Sequence, residues 1–334
     1  MITAYGNVLG TATARAHPHD FIVVEELGFT PTGSGEHHLL AVRKCGWTTE
    51  AVAGLLAEHF ALSRSAVSYA GRKDRHAETT QWFSLHAPGD KQVIEPGPLA
   101  GGVEIVAVTR NNRKLRIGAL RANRFVITLR AVDALRSEVE KRLFEVARHG
   151  LPNYFGEQRF GRDGDNFARA CAWLLGGNRV RSRSLRSTLL SAARSELFNR
   201  VLDYRVAAGS WNEVLPGERV MLDDSHSHFS VAEPGGGIWR RVRRGMVHPS
   251  GPLPGRQKDG PDDYVAQLEA KVLACQADLI AALERQGLCA QRRALRVMPR
   301  YLGWLWHTPD SLEISFRLPA GSYATTLIRQ VVTI

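Results

Sequence analysis

Alternating apolar and polar positions predict short strands over roughly the first 130 residues of the chain. The run Arg124–Arg130 is the clearest case, because Phe125, Ile127 and Leu129 occupy every second position, as one buried face of a strand requires. Further strand-like runs lie at 21–26, 38–43, 81–86 and 103–108, with a turn at 31–36. Apolar residues from Val52 to Phe60 recur at helical spacing instead, which predicts a helix that Thr48 or Thr49 caps, and Ser63 could start another short helix.

The pattern changes after about residue 150. Helices are predicted over 165–175, 188–208 and 262–286. The segment 249–261 contains four prolines and is predicted to be a loop. Strand character returns at 312–318, before a turn at 319–321. We therefore expect an α+β domain at the start, a mixed insertion, and a C-terminal return to the first domain. The length of 334 residues agrees with about two domains, or one domain with an insertion.

Positive charge is concentrated in arginine clusters. The chain has 44 Lys and Arg against 33 Asp and Glu, a formal charge of +11, which favours a polyanionic partner. Basic residues gather at 110–130, 179–186, 240–244 and 292–300. Guanidinium groups bind phosphate in a bidentate manner and stack on bases, so these clusters favour a nucleic acid, without saying whether it is RNA or DNA.

Several classes of protein are disfavoured. Four scattered cysteines (Cys45, Cys171, Cys275 and Cys289) contain no CxxC pair, which argues against a zinc ribbon or a disulfide scaffold. Neither a bilayer-length apolar run nor a secretory signal is visible, so we expect a soluble, cytoplasmic protein. Glu36-His37-His38 lacks the HExxH spacing, and His226 with His228 has no obvious third ligand, so no metal site is expected. Signatures of serine hydrolases, P-loop ATPases and dinucleotide-binding enzymes are missing as well.

The densest group of polar residues is the run Tyr69–Gln81, which is bracketed by strand-like segments. Asp74 stands there between Lys73 and Arg75, and adjacent cations would keep its carboxylate ionised. A fixed, ionised carboxylate can act as a nucleophile or as an electrostatic stabiliser. A charged surface turn is the alternative interpretation of the same residues.

Five motifs, in order along the chain, resemble the TruD family of pseudouridine synthases. The central one is Gly71-Arg72-Lys73-Asp74-Arg75-His76-Ala77 followed by Thr79-Thr80-Gln81. The others are 20–26 with 33–37, 114–118 with 123–125, Pro152-Asn153-Tyr154-Phe155-Gly156-Glu157-Gln158-Arg159-Phe160-Gly161, and 318–325. Together they span nearly the whole chain.

The resemblance implies a fold, an activity and a partner. The fold would be an α+β pseudouridine synthase catalytic domain with a mixed, mostly antiparallel sheet, plus an α+β TRUD insertion domain. We place the catalytic domain at 1–148 and 298–334 and the insertion at 149–297. The reaction would convert uridine to pseudouridine in transfer RNA, at uridine 13 in bacterial members. No cofactor or metal is expected, and the partner would be transfer RNA bound by a monomer, with neither DNA nor a membrane involved.

The resemblance also assigns residues to the site. It implies that Asp74 is catalytic, and it puts Phe21, Asn123 and Tyr323 at substrate-contact positions. Tyr323 departs from the phenylalanine that is common in the family, which keeps the ring and adds a hydroxyl.

Two further residues follow from these positions. Phe125, two residues after Asn123, is expected to shape the pocket. Lys73 is predicted to bind substrate and is one candidate for the cation that balances Asp74, with an arginine or lysine from elsewhere as the other.

Three questions stay open at this level. Asp74 could attack C1′ of the ribose or assist removal of a sugar proton. A non-catalytic RNA-binding or chaperone protein of the same fold would have a similar composition. A metal-dependent nucleic-acid hydrolase that uses Asp74 is a weaker third interpretation.

Overall fold

A computed structural model describes residues 1–89, 93–161, 163–225, 227–256 and 263–334. Contacts divide the chain into two compact units. We call residues 10–136, 300–321 and 332–334 the sheet unit, and residues 1–9, 137–299 and 322–331 the helix unit. Residues 137–148 and 322–331 thus group with the helix unit, whereas the domain bounds 1–148, 149–297 and 298–334 stay a prediction.

The described strands follow one another in chain order as β1 (Thr11–Ala14), β2 (Phe21–Leu27), β3 (His37–Lys44), β4 (Val67–Tyr69), β5 (Glu78–His86), β6 (Gly97–Ala100), β7 (Val103–Asn111), β8 (Leu120–Asp133), β9 (Leu151–Pro152), β10 (Glu218–Leu222), β11 (His228–Val231), β12 (Val247–Leu253), β13 (Gln291–Ala294), β14 (Arg296–Val297), β15 (Arg300–Thr308) and β16 (Ser311–Pro319). The described helices are α1 (Thr49–His59), α2 (Arg136–His149), α3 (Asn166–Leu174), α4 (Arg183–Ala207), α5 (Gly236–Arg243), α6 (Asp263–Leu273), α7 (Ala277–Arg285) and α8 (Ala324–Ile328). Within these residues every helix is too short or too polar to cross a bilayer.

One large sheet organises the sheet unit. Its strand order is β15-β16-β8-β2-β5-β3-β7-β6, with β1 added beside β8 and β4 beside β5. Neighbouring strands run antiparallel, except for the parallel pair β2 and β5. This arrangement confirms the predicted α+β class with a mixed, mostly antiparallel sheet. The C-terminal strands β15 and β16 join this sheet, and β16 contains the strand predicted over 312–318, whereas β15 was not predicted.

Helix α1 covers part of one face of this sheet. Its buried residues Val52 and Leu56 pack against Leu40, Val42 and Phe83 of the strands. The helix begins as the sequence predicted, because the Thr48 hydroxyl accepts a hydrogen bond from the Ala51 amide at 3.2 Å. Fixing the start of α1 matters for the site, since its first residue, Thr49, contacts the loop that carries Asp74.

The helix unit is built around the long helix α4. Helices α3 and α6 pack against it, and buried Leu189, Leu197 and Val201 form its core face. A four-stranded sheet of order β11-β10-β12-β13 lies in the same unit. The four cysteines of the chain form no disulfide.

Two sequence predictions for this unit were wrong. Residues 249–253 are part of strand β12 and not of a loop. Pro249 still serves the sheet, because its carbonyl accepts a hydrogen bond from the Leu295 amide at 2.8 Å. The remainder of that segment from residue 257 onward lies outside the described residues.

The single helix predicted over 262–286 is two helices, α6 and α7, joined by a 3-10 turn at Ala274–Gln276. Its first predicted residue, Asp262, is also outside the described part. The turn falls where Cys275 and Gln276 interrupt the apolar positions between the buried residues Leu273 and Leu279.

Candidate active site

Asp74 lies in a loop of the sheet unit, between strands β4 and β5. Three side chains fasten the backbone of this loop. The Gln81 amide donates to the Gly71 carbonyl, the Thr49 hydroxyl accepts from the Lys73 amide at 2.9 Å, and the Lys44 ammonium donates to the Asp74 carbonyl at 2.9 Å. Thr49 also donates to Gln81 at 2.9 Å, which couples two of these contacts. The backbone that carries Asp74 is therefore held from several directions.

The Asp74 carboxylate is anchored at both oxygens. Oδ2 lies 2.9 Å from Nη1 of Arg15, and Oδ1 accepts a hydrogen bond from the His76 amide at 3.1 Å. The side chain is 20% exposed, so it is fixed without being sealed off. A carboxylate held in this way can present charge, or a lone pair, to a bound molecule.

Arg15 supplies a cation that pairs with Asp74, and sequence reasoning missed it. Its guanidinium pairs with Asp74 and also lies over the Phe21 ring, 4.2 Å from the ring centroid. It therefore links two residues that the family resemblance assigned to the site. Nothing in the local sequence signals this, because Arg15 stands alone between Ala14 and Ala16 and far from Asp74 along the chain.

Lys73 pairs with the carboxylate of Glu25. Its ammonium lies 2.8 Å from Oε1 of Glu25, and the other oxygen of Glu25 accepts from the Trp82 amide at 2.9 Å. The Glu25 side chain is fully buried. Burial raises the pKa of Glu25, and the Lys73 ammonium opposes that rise. Lys73 thus closes a buried ion pair beneath the loop, which supports a positioning role and leaves its predicted substrate contact without a structural argument.

Lys44 is buried on strand β3, beside Thr79 of β5. Its ammonium donates to the carbonyls of Trp47 at 2.8 Å and Asp74 at 2.9 Å. Burial lowers the pKa of Lys44 to about 8, although the Asp74 charge opposes the shift. Lys44 is a second positioning residue that the sequence did not reveal, because only strand pairing brings it to the loop.

The pKa of Lys44 predicts a pH dependence of stability. In the folded protein it is about 8, whereas lysine in an unfolded chain titrates near ~10.4. Below the folded-state pKa, the folded protein is therefore destabilised by a buried ammonium. Between the folded-state and the unfolded-state pKa, the folded protein has lost this proton while the unfolded chain still binds it, so stability rises with pH. We expect the free energy of unfolding of the wild type, minus that of Lys44→Met, to rise across this window by up to about 3 kcal/mol.

Denaturant unfolding of both proteins between pH 7 and pH 11 measures this difference. The Lys44→Met variant serves as the control for every other group that titrates in the range. A difference that stayed flat or fell with rising pH would contradict the assignment.

Phe21, Asn123 and Phe125 lie on one face of the sheet. Cross-strand pairing sets Glu25 opposite Asn123, Val23 opposite Phe125 and Phe21 opposite Ile127, and residues paired in this way project to the same side. The Phe21 and Phe125 rings meet edge to face at 6.3 Å between centroids. Phe125 is also stacked on Phe316, with 5.3 Å between ring centroids. Phe125 therefore packs between Phe316 and Phe21 and supports the Phe21 ring.

Asn123 and Thr79 each bury a polar atom on this face that has no hydrogen-bond partner among the described residues. The atoms are Oδ1 of Asn123 and Oγ1 of Thr79. Asn123 is 8% exposed and Thr79 is fully buried. Buried polar groups in native proteins are nearly always paired, so an unpaired buried acceptor on this face suits a bound ligand. Thr79 belongs to the central sequence motif, but its burial could not be predicted from that motif.

Tyr323 belongs to the helix unit, unlike the other predicted site residues. Its ring contacts Phe155 edge to face at 6.5 Å between centroids. It also lies against Gly156, where an added Cβ would come within 2.9 Å of the Tyr323 ring. Arg293 covers Phe155 with its guanidinium 4.0 Å from the ring centroid. The motif 152–161 thus supplies a glycine that leaves room for the Tyr323 ring.

The four arginine clusters differ in what the structure makes of them. Those at 110–130, 179–186 and 240–244 contain exposed arginines. The prediction that the cluster at 292–300 faces a nucleic acid was wrong. Arg292 pairs with Glu269 at 2.7 Å, Arg293 packs on Phe155, and Arg296 is 4% exposed. Three of its four arginines therefore serve the interior of the helix unit.

The histidine-containing segments at 36–38 and 226–228 were the candidate metal sites in the sequence. Among the described residues, no three His, Cys, Asp or Glu side chains are placed to hold a metal ion together. His37 is stacked on His86 with 4.6 Å between ring centroids, and its Nδ1 lies 3.2 Å from the Ser84 hydroxyl. His226 is outside the described part of the chain.

Comparison with known proteins agrees with the sequence motifs. The profile of the family described as tRNA pseudouridine synthase D (TruD) matches residues 8–179 and 175–331. The tRNA pseudouridine synthase D of Nitrosococcus oceani is 45% identical over 335 aligned positions, which cover 99% of this chain and 94% of that protein. The crystal structure of a putative tRNA pseudouridine synthase D (TruD) from Methanosarcina mazei superposes with a TM-score of 0.73. The superposition covers 100% of this chain and 96% of the Methanosarcina mazei chain at 20% sequence identity, which shows that the two proteins share a fold.

Proposed function

The chain belongs to the tRNA pseudouridine synthase D (TruD) family, and from that premise we propose that it uses Asp74 to convert uridine 13 of transfer RNA to pseudouridine. Membership makes the protein a tRNA pseudouridine synthase, an isomerase that acts on uridine in transfer RNA. The position of the uridine and the role of Asp74 are the proposed parts. The proposed role of Asp74 is supported by its carboxylate, which is partly exposed, pairs with Arg15 and accepts a hydrogen bond from the His76 amide.

The reaction defines what the site must supply. The N1–C1′ bond of uridine breaks, the uracil turns while it remains bound, and C5 joins C1′. C5 then loses its proton and N1 gains one, so there is neither net oxidation nor hydrolysis. Such a sequence needs a carboxylate near C1′, a surface that retains the detached uracil, and exclusion of water.

Asp74 fits the first requirement. Its carboxylate either attacks C1′ or accepts a proton from the sugar, and in both routes its orientation decides the rate. Arg15 maintains that orientation and stabilises the negative charge of Asp74 while the ribose reacts. Lys44 and the Lys73–Glu25 pair keep the loop backbone in place.

Asn123 and Phe21 fit the second requirement. The unpaired Oδ1 of Asn123 can accept the N3–H of uracil, the one ring N–H that the base carries while it is attached to ribose. Phe21 would contribute an aromatic face, with Phe125 as its support, and Tyr323 stays a predicted substrate contact. The target base must leave its stack to reach such groups, which costs less in loops and irregular pairs than in a continuous duplex.

Mapping of pseudouridine at nucleotide resolution tests the proposed position. We expect an unmodified transfer RNA transcript incubated with the protein to gain pseudouridine at nucleotide 13 and at no other uridine. A transcript that carries cytidine at position 13 is the matched control and should gain none. We expect conversion to be unaffected by EDTA, whereas a metal-dependent hydrolase would stop.

Two results would refute the proposed position. One is conversion at a different uridine, and the other is continued conversion in the cytidine-13 transcript.

A further inference from the structure

Helix α5 lies on the surface of the helix unit and is anchored firmly from below. Val242 on its inner side packs into a cluster of buried valines, which also contains Val220 and Val247, and Ile238 packs against this cluster. Buried Arg296 donates to the carbonyls of Val242 at 2.7 Å and Val247 at 3.1 Å, which ties the end of the helix to strand β12. The helix therefore presents its outer side in a fixed orientation.

The outer side combines an aromatic ring with several cations. Trp239 is 52% exposed, and Arg240, Arg243 and Arg244 are exposed beside it. Residues separated by four positions lie on one helical face, so Trp239 lies next to Arg243, and Arg240 next to Arg244. None of these three arginines forms an ion pair with a carboxylate in the part of the chain that the structure describes. The neighbouring Arg241 differs, because it lies 5.2 Å from the centroid of the Phe229 ring.

The sequence around α5 is basic. It has no Asp or Glu from Pro234 to Lys258, a stretch that includes the whole helix. Guanidinium groups bind phosphates through paired hydrogen bonds, and an exposed indole stacks on any unpaired base. A surface that offers both matches single-stranded or looped RNA better than it matches a protein.

We propose that Trp239, Arg240, Arg243 and Arg244 form a surface of the helix unit that binds the transfer RNA. The arginines bind backbone phosphates, and Trp239 stacks on a base that is not paired. This rests on transfer RNA being the substrate, as argued above. The surface contributes affinity, and takes no part in the chemistry at C1′.

A membrane surface would need a different helix. Basic helices that bind bilayers insert an apolar face between the headgroups. In α5 that face is already packed, because Val242 is 7% exposed. With eight residues the helix is also only about 12 Å long. RNA is therefore the occupant that the surface fits.

Helix α2 of the same unit supplies a matched control. It exposes Phe144 together with Lys141 and Arg148, at spacings of three and four residues. Unlike α5, it also carries Glu138, Glu140 and Glu145, so its net charge is low. Removing the same number of cations, or one aromatic ring, from α2 separates a specific surface from the overall charge of the protein.

The test measures the Kd for an unmodified transfer RNA transcript at several salt concentrations. For Arg240→Ala/Arg244→Ala we expect a Kd about tenfold higher, and a slope of log K against log salt that is smaller by about two. Trp239→Ala should raise the Kd at least fivefold and leave the slope unchanged, as loss of a stacked base would. In each variant, kcat/KM should fall by the factor by which the Kd rises. Lys141→Ala/Arg148→Ala and Phe144→Ala should stay within twofold of the wild type.

Three outcomes would overturn the proposal. Equal losses in the α2 controls would show a general charge effect. An unchanged Kd in both α5 variants would show that the surface does not contact RNA. Binding to vesicles that contain phosphatidylglycerol, lost in Trp239→Ala while transfer RNA binding is kept, would show a membrane surface. Because these are binding measurements, a failure to find pseudouridine at position 13 would refute the proposed function and leave this comparison intact.

Discussion

Replacing Asp74 with asparagine is expected to lower the single-turnover rate of pseudouridine formation by about 10⁴-fold or more, a loss typical of removing a nucleophile or base. Asparagine keeps the shape of the side chain and can still accept a hydrogen bond from the His76 amide. It cannot attack C1′ or take a proton from the sugar. The affinity for transfer RNA should stay within a few-fold, because the contacts proposed for affinity lie elsewhere.

Single-turnover mapping and a parallel binding assay measure both effects. Glu78→Gln is the matched control, because Glu78 is a carboxylate on the same segment that pairs with His19 at 2.6 Å. It should retain a rate within a few-fold of the wild type. If Asp74→Asn kept most of its rate, the catalytic assignment would be wrong. If even the wild type bound transfer RNA without converting it, the alternative of a non-catalytic RNA-binding protein would hold.

Replacing Arg15 with methionine should produce the second-largest loss, about 10²- to 10³-fold in rate, comparable to removing one preorganised electrostatic contact. Methionine preserves much of the packing over Phe21 and removes the partner of Asp74. Arg15→Lys keeps the positive charge and loses the planar guanidinium over the Phe21 ring. Its rate should therefore lie between that of the wild type and that of Arg15→Met.

The control for Arg15 is Arg43→Met, which breaks the exposed pair between Arg43 and Glu104 in the same unit. Exposed ion pairs contribute little to stability, so this variant should behave like the wild type. A rate for Arg15→Met equal to that of Arg43→Met would show that Asp74 works without its cation. The Arg15–Asp74 pair would then be structural only.

The sheet unit could be predicted from the sequence because burial of one face leaves a period-two pattern. Phe125, Ile127 and Leu129 are all buried on β8, as the alternation indicated. Helix α2 gave a weaker signal, since Val139, Leu143 and Val146 are the buried residues among its fourteen. Strand β12 could not be predicted from composition, because it contains two prolines, which usually indicate a loop, and both lie in paired positions. There, pairing with neighbours outweighed local preference.

The candidate site divides in a similar way. Asp74 could be found because its motif is contiguous, and Asn123 because it follows a recognisable basic segment. Lys44 and Glu25 could not, since strand pairing between distant parts of the chain brings them to the loop. Arg15 could not either, since it contacts Asp74 through a side-chain ion pair across 59 positions of sequence. Composition also cannot separate an arginine that binds phosphate from one that closes an internal network, which is why Arg292 and Arg296 were misjudged.

The most direct test of Asp74 as the group that isomerises uridine follows the hydrogen that the reaction must expel. Transfer RNA labelled with tritium at C5 of its uridines loses one tritium for each uridine that becomes pseudouridine, because C5 exchanges its hydrogen for the bond to C1′. The wild type should release one tritium per transfer RNA, and Asp74→Asn none over the same period. Release by Asp74→Asn at the wild-type rate would contradict the central claim.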